Sequence, residues 1–389
     1  MKRKIFVPRP DWVERCKSVG FDYCNLLSSD GSWYWSEGVG YEFSLAQIDA
    51  LEDATNALHA MCMEVVVAMI KSGDYPLQYG LSQAAIALIE SSWKANEPSL
   101  YGRFDLAYDG NSIKMLEYNA DTPTSLLEAS VVQWNWLQDR GLPDQFNSIH
   151  ERLIERWKVI AEGIALKPRI YFAGMKEAGR EDWGNIEYLM DTAHQAGFDT
   201  SDIVVDDIGW DQERKLFVDL NEQPIRGCFK LYPWEWMARD GFGESIAQSQ
   251  TRFIEPAWKM LLSSKALLPL LWKQFEGHPL LLPTFFEAES EKTKHGKWVR
   301  KPILAREGAN VTKVEDGVSV HLTGSAFNAE YDKSGYVLQQ WVDLPVFDGF
   351  RPLVGSWIIG DEAAGIGVRE DYNDVTGNDS HFVPHYFVG

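Results

Sequence analysis

Tyr101-Gly102-Arg103-Phe104-Asp105-Leu106 is followed by Asp109-Gly110-Asn111 and then by Ile113-Lys114-Met115-Leu116-Glu117-Tyr118-Asn119. Two strand-like runs flank a turn signal, so residues 101–119 read as a β-hairpin. Alternate side chains of a strand share a face. Arg103 and Asp105 therefore point one way, and Glu117 and Asn119 point one way on the return strand. Four polar side chains can line one face of one hairpin. Carboxylate and amide oxygens are the hard ligands magnesium takes beside nucleotide phosphates. Arginine offers a forked donor to a phosphate oxygen. A solvated sheet face with a salt bridge fits the same pattern, and spacing alone leaves both readings open.

Outward from the hairpin the chain alternates. Residues 11–19, 44–72 and 82–94 read as helices, with Ser44 as N-cap of the second. Helices are expected at 125–139 and 145–164. Residues 169–173, 201–205 and 215–220 read as strands around a helix at 183–196, an alternation that predicts a parallel sheet. A helix is expected near 257–274. Strands follow at 298–303, 318–322, 336–342, 353–359 and 363–369. The fold class is α/β with α+β subdomains. The expected division is 1–165, 166–250 and 251–389, with the hairpin belonging to the same site as the last region.

The chain has 389 residues and a formal net charge of −20. That length calls for two or three subdomains. The charge speaks against nucleic acid, whose phosphates need basic surfaces, and permits cationic substrates. The 16 Trp residues imply large, well-filled cores or cofactor walls. Cys16, Cys24, Cys62 and Cys228 form no CxxC pair, which fits a reduced cytoplasmic chain with buried thiols. The basic start, Met1-Lys2-Arg3-Lys4, is followed by no apolar segment of the signal-peptide kind. No uncharged stretch approaches the roughly 20 residues a bilayer requires.

Further candidates lie downstream. Lys301 ends Trp298-Val299-Arg300-Lys301 and precedes Arg306-Glu307-Gly308-Ala309-Asn310, where backbone N–H groups can face phosphate oxygens. A surface lysine before a turn is the plainer alternative. Lys265 alone reads as an ordinary lysine at a helix start. Arg369 follows Gly365-Ile366-Gly367, glycines that allow close approach; it suits a phosphoryl group or an ion pair with Glu370 or Asp371. Leu338-Gln339-Gln340-Trp341-Val342 can present backbone to an adenine edge or be a plain buried strand. His381 and His385 bracket a proline and read as core or surface histidines. Cys228 has no base beside it and reads as structural. Tyr232-Pro233-Trp234-Glu235-Trp236-Met237 reads as packing or as a substrate wall.

Taken in order, these pieces resemble the synthetase portion of the glutathionylspermidine synthetase family. They are Gly102–Asp105, Lys114–Thr124, Leu231–Met237, Lys265–Pro269, Lys301–Asn310 and Gly365–Glu370. The chain is similar in length to stand-alone acid–amine ligase homologues without an amidase domain. The resemblance implies an ATP-grasp fold in the permuted, glutathione-synthetase-like order, with the carboxylates before the lysines. It implies Asp105, Glu117 and Asn119 as magnesium ligands, and Arg103 and Arg369 as catalytic arginines at the transferred phosphoryl group. Lys265 and Lys301 match nucleotide lysines; Gly308, Gln339 and Gln340 complete the ATP site, under a mobile lid after Lys301. Glu181 and Asp182 match a substrate-contacting segment. The implied reaction joins a peptide or glutathione-like carboxylate to a polyamine-like amine through an acyl phosphate, using ATP and Mg2+. A non-catalytic nucleotide-binding module and a small-molecule kinase are the alternatives.

Overall fold

The computed structural model describes the chain except residues 29, 164–168, 242, 294, 307, 323, 324, 326, 378 and 379. Its centre is a five-stranded antiparallel sheet in the order His381–Val383, Glu362–Asp371, Arg351–Ile359, Tyr101–Tyr108, Ile113–Asn119. The expected hairpin is thus present and lies at one edge. Alternation divides its two faces. Phe104 stands opposite Tyr118 with ring centroids 3.9 Å apart. Gly102 lies under that ring, where a Cβ would stand 2.8 Å from it. This apolar face packs on the long helix Leu45–Ser72.

That helix starts where Ser44 predicts. The Ser44 side chain accepts from Gln47 N, and the Gln47 side chain accepts from Ser44 N, a reciprocal capping box. It ends at Gly73, whose φ of 67° a side chain would resist. The helix is long and apolar enough to cross a bilayer by length and composition. Here its buried stripe, from Ile48 to Met69, covers the central sheet.

A four-stranded parallel sheet runs in the order Arg252–Ile254, Gly227–Lys230, Arg169–Gly174, Asp199–Val204. One strand expected there lies elsewhere. Leu216–Val218 pairs antiparallel with Gly209–Asp211 in a separate small sheet. Asp211 Oδ1 accepts from Glu213 N and Arg214 N, which closes a turn and folds the chain straight back. The fully buried run Gly227–Lys230 takes the place beside Arg169–Gly174.

An outer antiparallel sheet has the order Thr284–Phe286, Tyr336–Gln340, Lys297–Pro302, Thr312–Glu315, Val318–His321. The single helix expected near 257–274 is instead broken into a short 3-10 turn, Met260–Ser263 and Leu267–Gln274. Pro269 has no N–H to return to Lys265, and the Ser264 hydroxyl accepts from Ala266 N. The break frees Lys265, whose backbone N donates to Ile303 O of the outer-sheet region. Two other helices also differ. Residues 128–132 form a π-helix ahead of Gln133–Arg140. The helix expected from 145 starts at Ile149, because Asn147 bridges to Gly365 at the sheet; residue 164 of that expectation lies outside the described residues.

Candidate active site

The polar face of the hairpin turns into a cleft of about 620 Å³. A bulge follows Asp105, and it leaves the four polar residues in register: Arg103 opposite Asn119, Asp105 opposite Glu117. Asn119 Nδ2 stands 3.3 Å from Asp105 Oδ2 and 3.3 Å from Glu117 Oε1. The three side chains sequence spacing placed on one face therefore meet. Among the described residues no three His, Cys, Asp or Glu side chains converge as a metal site; here the third member is an amide.

Arg103 grips Asp105 with both ends of its fork, Nε to Oδ1 at 2.7 Å and Nη2 to Oδ2 at 3.1 Å. Its Nη1 donates to Thr124 O at 2.8 Å. Burial works against the arginine charge, and the Asp105 carboxylate more than offsets it. Room for the arginine stem comes from Gly355 on the next strand: a Cβ there would stand 2.9 Å from Arg103 Cδ.

Opposite the hairpin stand the two lysines. Lys265 Nζ lies 3.1 Å from Glu117 Oε2 and donates to Ala305 O at 2.9 Å. Lys301 Nζ donates to Gln339 Oε1 at 2.7 Å and to Leu116 O at 3.2 Å. Burial alone would raise the Glu117 carboxyl, but Lys265 and Lys301 outweigh it and hold it at about 2. Burial pulls the Lys301 ammonium down to about 8 against the opposing pull of Glu117. Gln339 is 2% exposed, and its Nε2 donates to Met115 O at 3.2 Å. Its side chain thus steers Lys301, and Gln340 beside it also reaches the cleft.

Arg369 sits within strand Glu362–Asp371, paired with Leu353 and Phe382. The ion pairs considered for it do not form. Arg3 takes Glu370 at 2.9 and 2.8 Å, with Tyr41 OH donating to the same carboxylate. Asp371 accepts from backbone N–H groups of Asn373 and Gly377. Arg369 Nη2 instead donates to Gly377 O and Ser380 Oγ, and its buried Nε has no partner among the described residues. An orphaned donor at a cleft wall is costly unless an anion arrives to meet it.

All ten residues singled out in the sequence line this one cleft: Arg103, Asp105, Glu117, Asn119, Lys265, Lys301, Gly308, Gln339, Gln340 and Arg369. Gly308 has a φ of 66°, and a Cβ would come within 2.4 Å of Val375 Cγ1, so only glycine lets the loop lie against residues 375–376. Glu181 and Asp182 line the cleft, with Thr124 Oγ1 donating to Glu181 at 3.3 Å. Thr122, Trp236, Arg306 and Arg351 also line it, and of these only Trp236 carries an expectation from the sequence, as packing or a substrate wall. The first three stand inside the motifs quoted above, but nothing in their spacing marks them. Of the residues set aside, Cys228, His381 and His385 are not among the described residues that line the cleft. The four cysteines are buried and free, with burial pushing the Cys228 thiol up to about 12. His385 is buried against Gln133, and burial pulls it down to about 3.

A mixed set of sheets closing over a cleft of hard oxygen ligands and cations defines a ligase of the ATP-grasp kind. The family model described as glutathionylspermidine synthase preATP-grasp matches residues 3–388, and the chain belongs to that family. It is an enzyme of the ATP-dependent carbon–nitrogen ligase class. A Haemophilus influenzae protein named provisionally as an acid–amine ligase is 54% identical over 394 residues, covering 100% of both chains. The trypanothione synthetase of Crithidia fasciculata is 26% identical over 84% of this chain and 53% of its own length, so the present chain spans about half of that relative. The solved structure of a glutathione-synthetase-like effector from Globodera pallida superimposes with a TM-score of 0.56 at 11% identity, covering 97% of this chain and 96% of that one. That likeness concerns the fold.

Proposed function

We propose that the chain joins a carboxylate to an amine, through an acyl phosphate made at the expense of ATP. The observation that carries this reading is the convergence of Asp105, Glu117 and Asn119 opposite Lys265 and Lys301 across one cleft. The donor set fits a hard divalent cation: Asp105 and Glu117 offer carboxylate oxygens, the Asn119 amide would turn its oxygen inward in place of the Nδ2 that faces them, and the Lys265 ammonium already rests on Glu117. Asp105, Glu117 and Asn119 would hold magnesium, which when bound offsets phosphate charge during phosphoryl transfer.

The remaining work belongs to the side chains. Lys265 and Lys301 bind the nucleotide phosphates, and Gln339 aims Lys301. Arg103 and Arg369 flank the carboxylate and the moving phosphoryl group and stabilise its charge. The loop carrying Gly308 covers the reacting atoms and excludes water, which would hydrolyse an acyl phosphate. The amine then attacks the acyl carbon and phosphate leaves. Glu181 and Asp182, which line the cleft beside Thr124 and so close to Arg103, suit a cationic amine such as a polyamine, and the arginines suit a peptide or glutathione-like acid. The three-part division at about residues 165 and 250 belongs to the same reading.

Purified chain incubated with MgATP and a panel of peptides and polyamines tests it. The ligase reading expects ADP, phosphate and an adduct lighter than its two substrates by one water. A phosphorylated acid or amine as end product identifies a kinase. No ADP with any pair identifies a binding module.

A further inference from the structure

The loop that follows Lys301 reaches across the cleft and ends its reach on three residues that share one support. Arg306 Nη1 donates to Thr122 Oγ1 at 2.5 Å. Its Nη2 lies 3.3 Å from Glu235 Oε1. Its guanidinium stands 5.6 Å from the centre of the Trp236 ring. A hydroxyl, a carboxylate and an indole are the three side-chain partners a guanidinium favours.

These partners come from distant parts of the chain, and one buried residue sets them side by side. Asp121, 1% exposed, precedes Thr122. Its Oδ1 takes Lys230 Nζ at 2.6 Å, and its Oδ2 takes the backbone N of Trp234 at 3.0 Å. The hairpin exit and the 234–237 turn are thereby fixed to each other by bonds that do not involve Arg306. Further along, Gly308 presses on residues 375–376, and Asn310 bonds Asn328 O and Asp332 Oδ1 at 2.7 and 2.8 Å. Between these anchors Arg306 ties the loop to the far wall of the cleft.

We propose that Thr122, Glu235 and Trp236 form a built receptor for Arg306, and that Glu235 is a positioning residue acting through that arginine. The docked guanidinium keeps the loop shut over Lys265 and Lys301 and presents Arg306 to the cleft as a further cation. Undocking opens the path by which nucleotide enters and leaves. That last step rests on the nucleotide reading given above; the docking itself does not.

Hydrogen–deuterium exchange on the full chain without nucleotide separates the two. Glu235→Gln removes the charge and keeps the shape, and Thr122→Val removes the hydroxyl. Each is expected to speed amide exchange in residues 303–311 by roughly two- to five-fold, the scale of a half-exposed charge pair. Exchange in helix Leu45–Ser72 stays as in the parent chain, which certifies the fold. Glu235→Asp restores part of the protection. Should Glu235→Gln not fold, Thr122→Val still decides. Loop exchange unchanged in a folded variant overturns the receptor. With MgADP as probe, stopped-flow dissociation should quicken by a similar factor in Glu235→Gln. An unchanged rate beside faster exchange overturns the positioning role. Failure of the parent chain to bind MgADP counts against the nucleotide reading alone.

Discussion

Arg103 owes its place to Gly355. The arginine stem crosses the neighbouring strand where that strand has no side chain, and a Cβ at 355 would stand 2.9 Å from Arg103 Cδ. The guanidinium can then close its fork on Asp105. Gly355→Ala should therefore act as an active-site variant without touching a charged residue. The expected loss of turnover is about 100-fold, the scale of an ångström-sized misplacement, with a stability cost of roughly 1–3 kcal/mol from overpacking. Steady-state ADP release and urea unfolding measure the two. Wild-type turnover in Gly355→Ala would show that Arg103 does not depend on this gap.

Glu117 is shared by two tasks, since Asn119 and Lys265 both reach it. Glu117→Gln and Asp105→Ala should each abolish ligase turnover and leave the circular dichroism of the chain unchanged. Calorimetry with ADP, with and without magnesium, should show that the metal no longer strengthens binding. A magnesium effect equal to that of the parent chain would remove these carboxylates from the metal site.

Lys301 is aimed at the cleft by Gln339 at 2.7 Å. Lys301→Ala should weaken MgADP binding by roughly 10- to 100-fold, the worth of a charged hydrogen bond. Gln339→Leu should weaken it less, because the ammonium remains and only its aim is lost. Calorimetric affinities rank the three proteins, and equal values for all three would take Lys301 out of the nucleotide site.

Glu128 opens the π-helix behind the cleft and is fully buried. Tyr34 OH donates to its Oε1 at 2.7 Å and Tyr23 OH at 3.2 Å, while its Oε2 has no partner among the described residues. Burial first, then the charge of Glu181, push this carboxyl from 4.5 up to about 7. A raised carboxyl contributes stability that is complete below pH 4.5 and fades as pH climbs through 7, because the folded chain holds a proton the unfolded chain has released. Glu128→Gln cannot titrate. The stability of the parent chain relative to Glu128→Gln should thus fall by on the order of 3 kcal/mol between pH 4.5 and pH 8. Urea titrations across that range test it, and a constant difference would mean an ordinary carboxyl.

Asp121 and Lys230 are 1% and 2% exposed and 2.6 Å apart. Lys230→Met should cost roughly 3–5 kcal/mol by leaving a buried charge unpaired. Adding Asp121→Asn should recover part of that loss despite removing a second native group. Unfolding free energies of the two single variants and the double close the cycle. Strict additivity would deny the pairing.

Where the sequence was legible, local rules carried the information. Ser44 and Gln47 mark a helix start because a side chain three residues away is already in reach. Asp109-Gly110-Asn111 marks the hairpin, and alternation then assigns Arg103, Asp105, Glu117 and Asn119 to one face. The failures share a cause. Leu216–Val218 and Gly227–Lys230 are both short apolar strands, and which one joins the parallel sheet depends on the turn at Asp211. The broken helix at Ser264–Ala266 carries its signals in Pro269 and Ser264, but apolar periodicity ran across them. Arg306 could not be given a role, since its partners lie at residues 122, 235 and 236.

By itself, then, the order of residues determined the polar face of the hairpin, the long capped helix, the residue types along the cleft and, through its motifs, the family. Each of these follows from neighbours a few positions apart or from a pattern repeated along one strand. Tertiary structure alone decided that Lys265 lies on Glu117, that Gln339 aims Lys301, that Gly355 makes room for Arg103, and that Arg306 docks beside Asp121. Those pairs are separated by tens to hundreds of residues, and only the packing of three sheets about one cleft brings their charges within the few ångströms at which hydrogen bonds and ion pairs act.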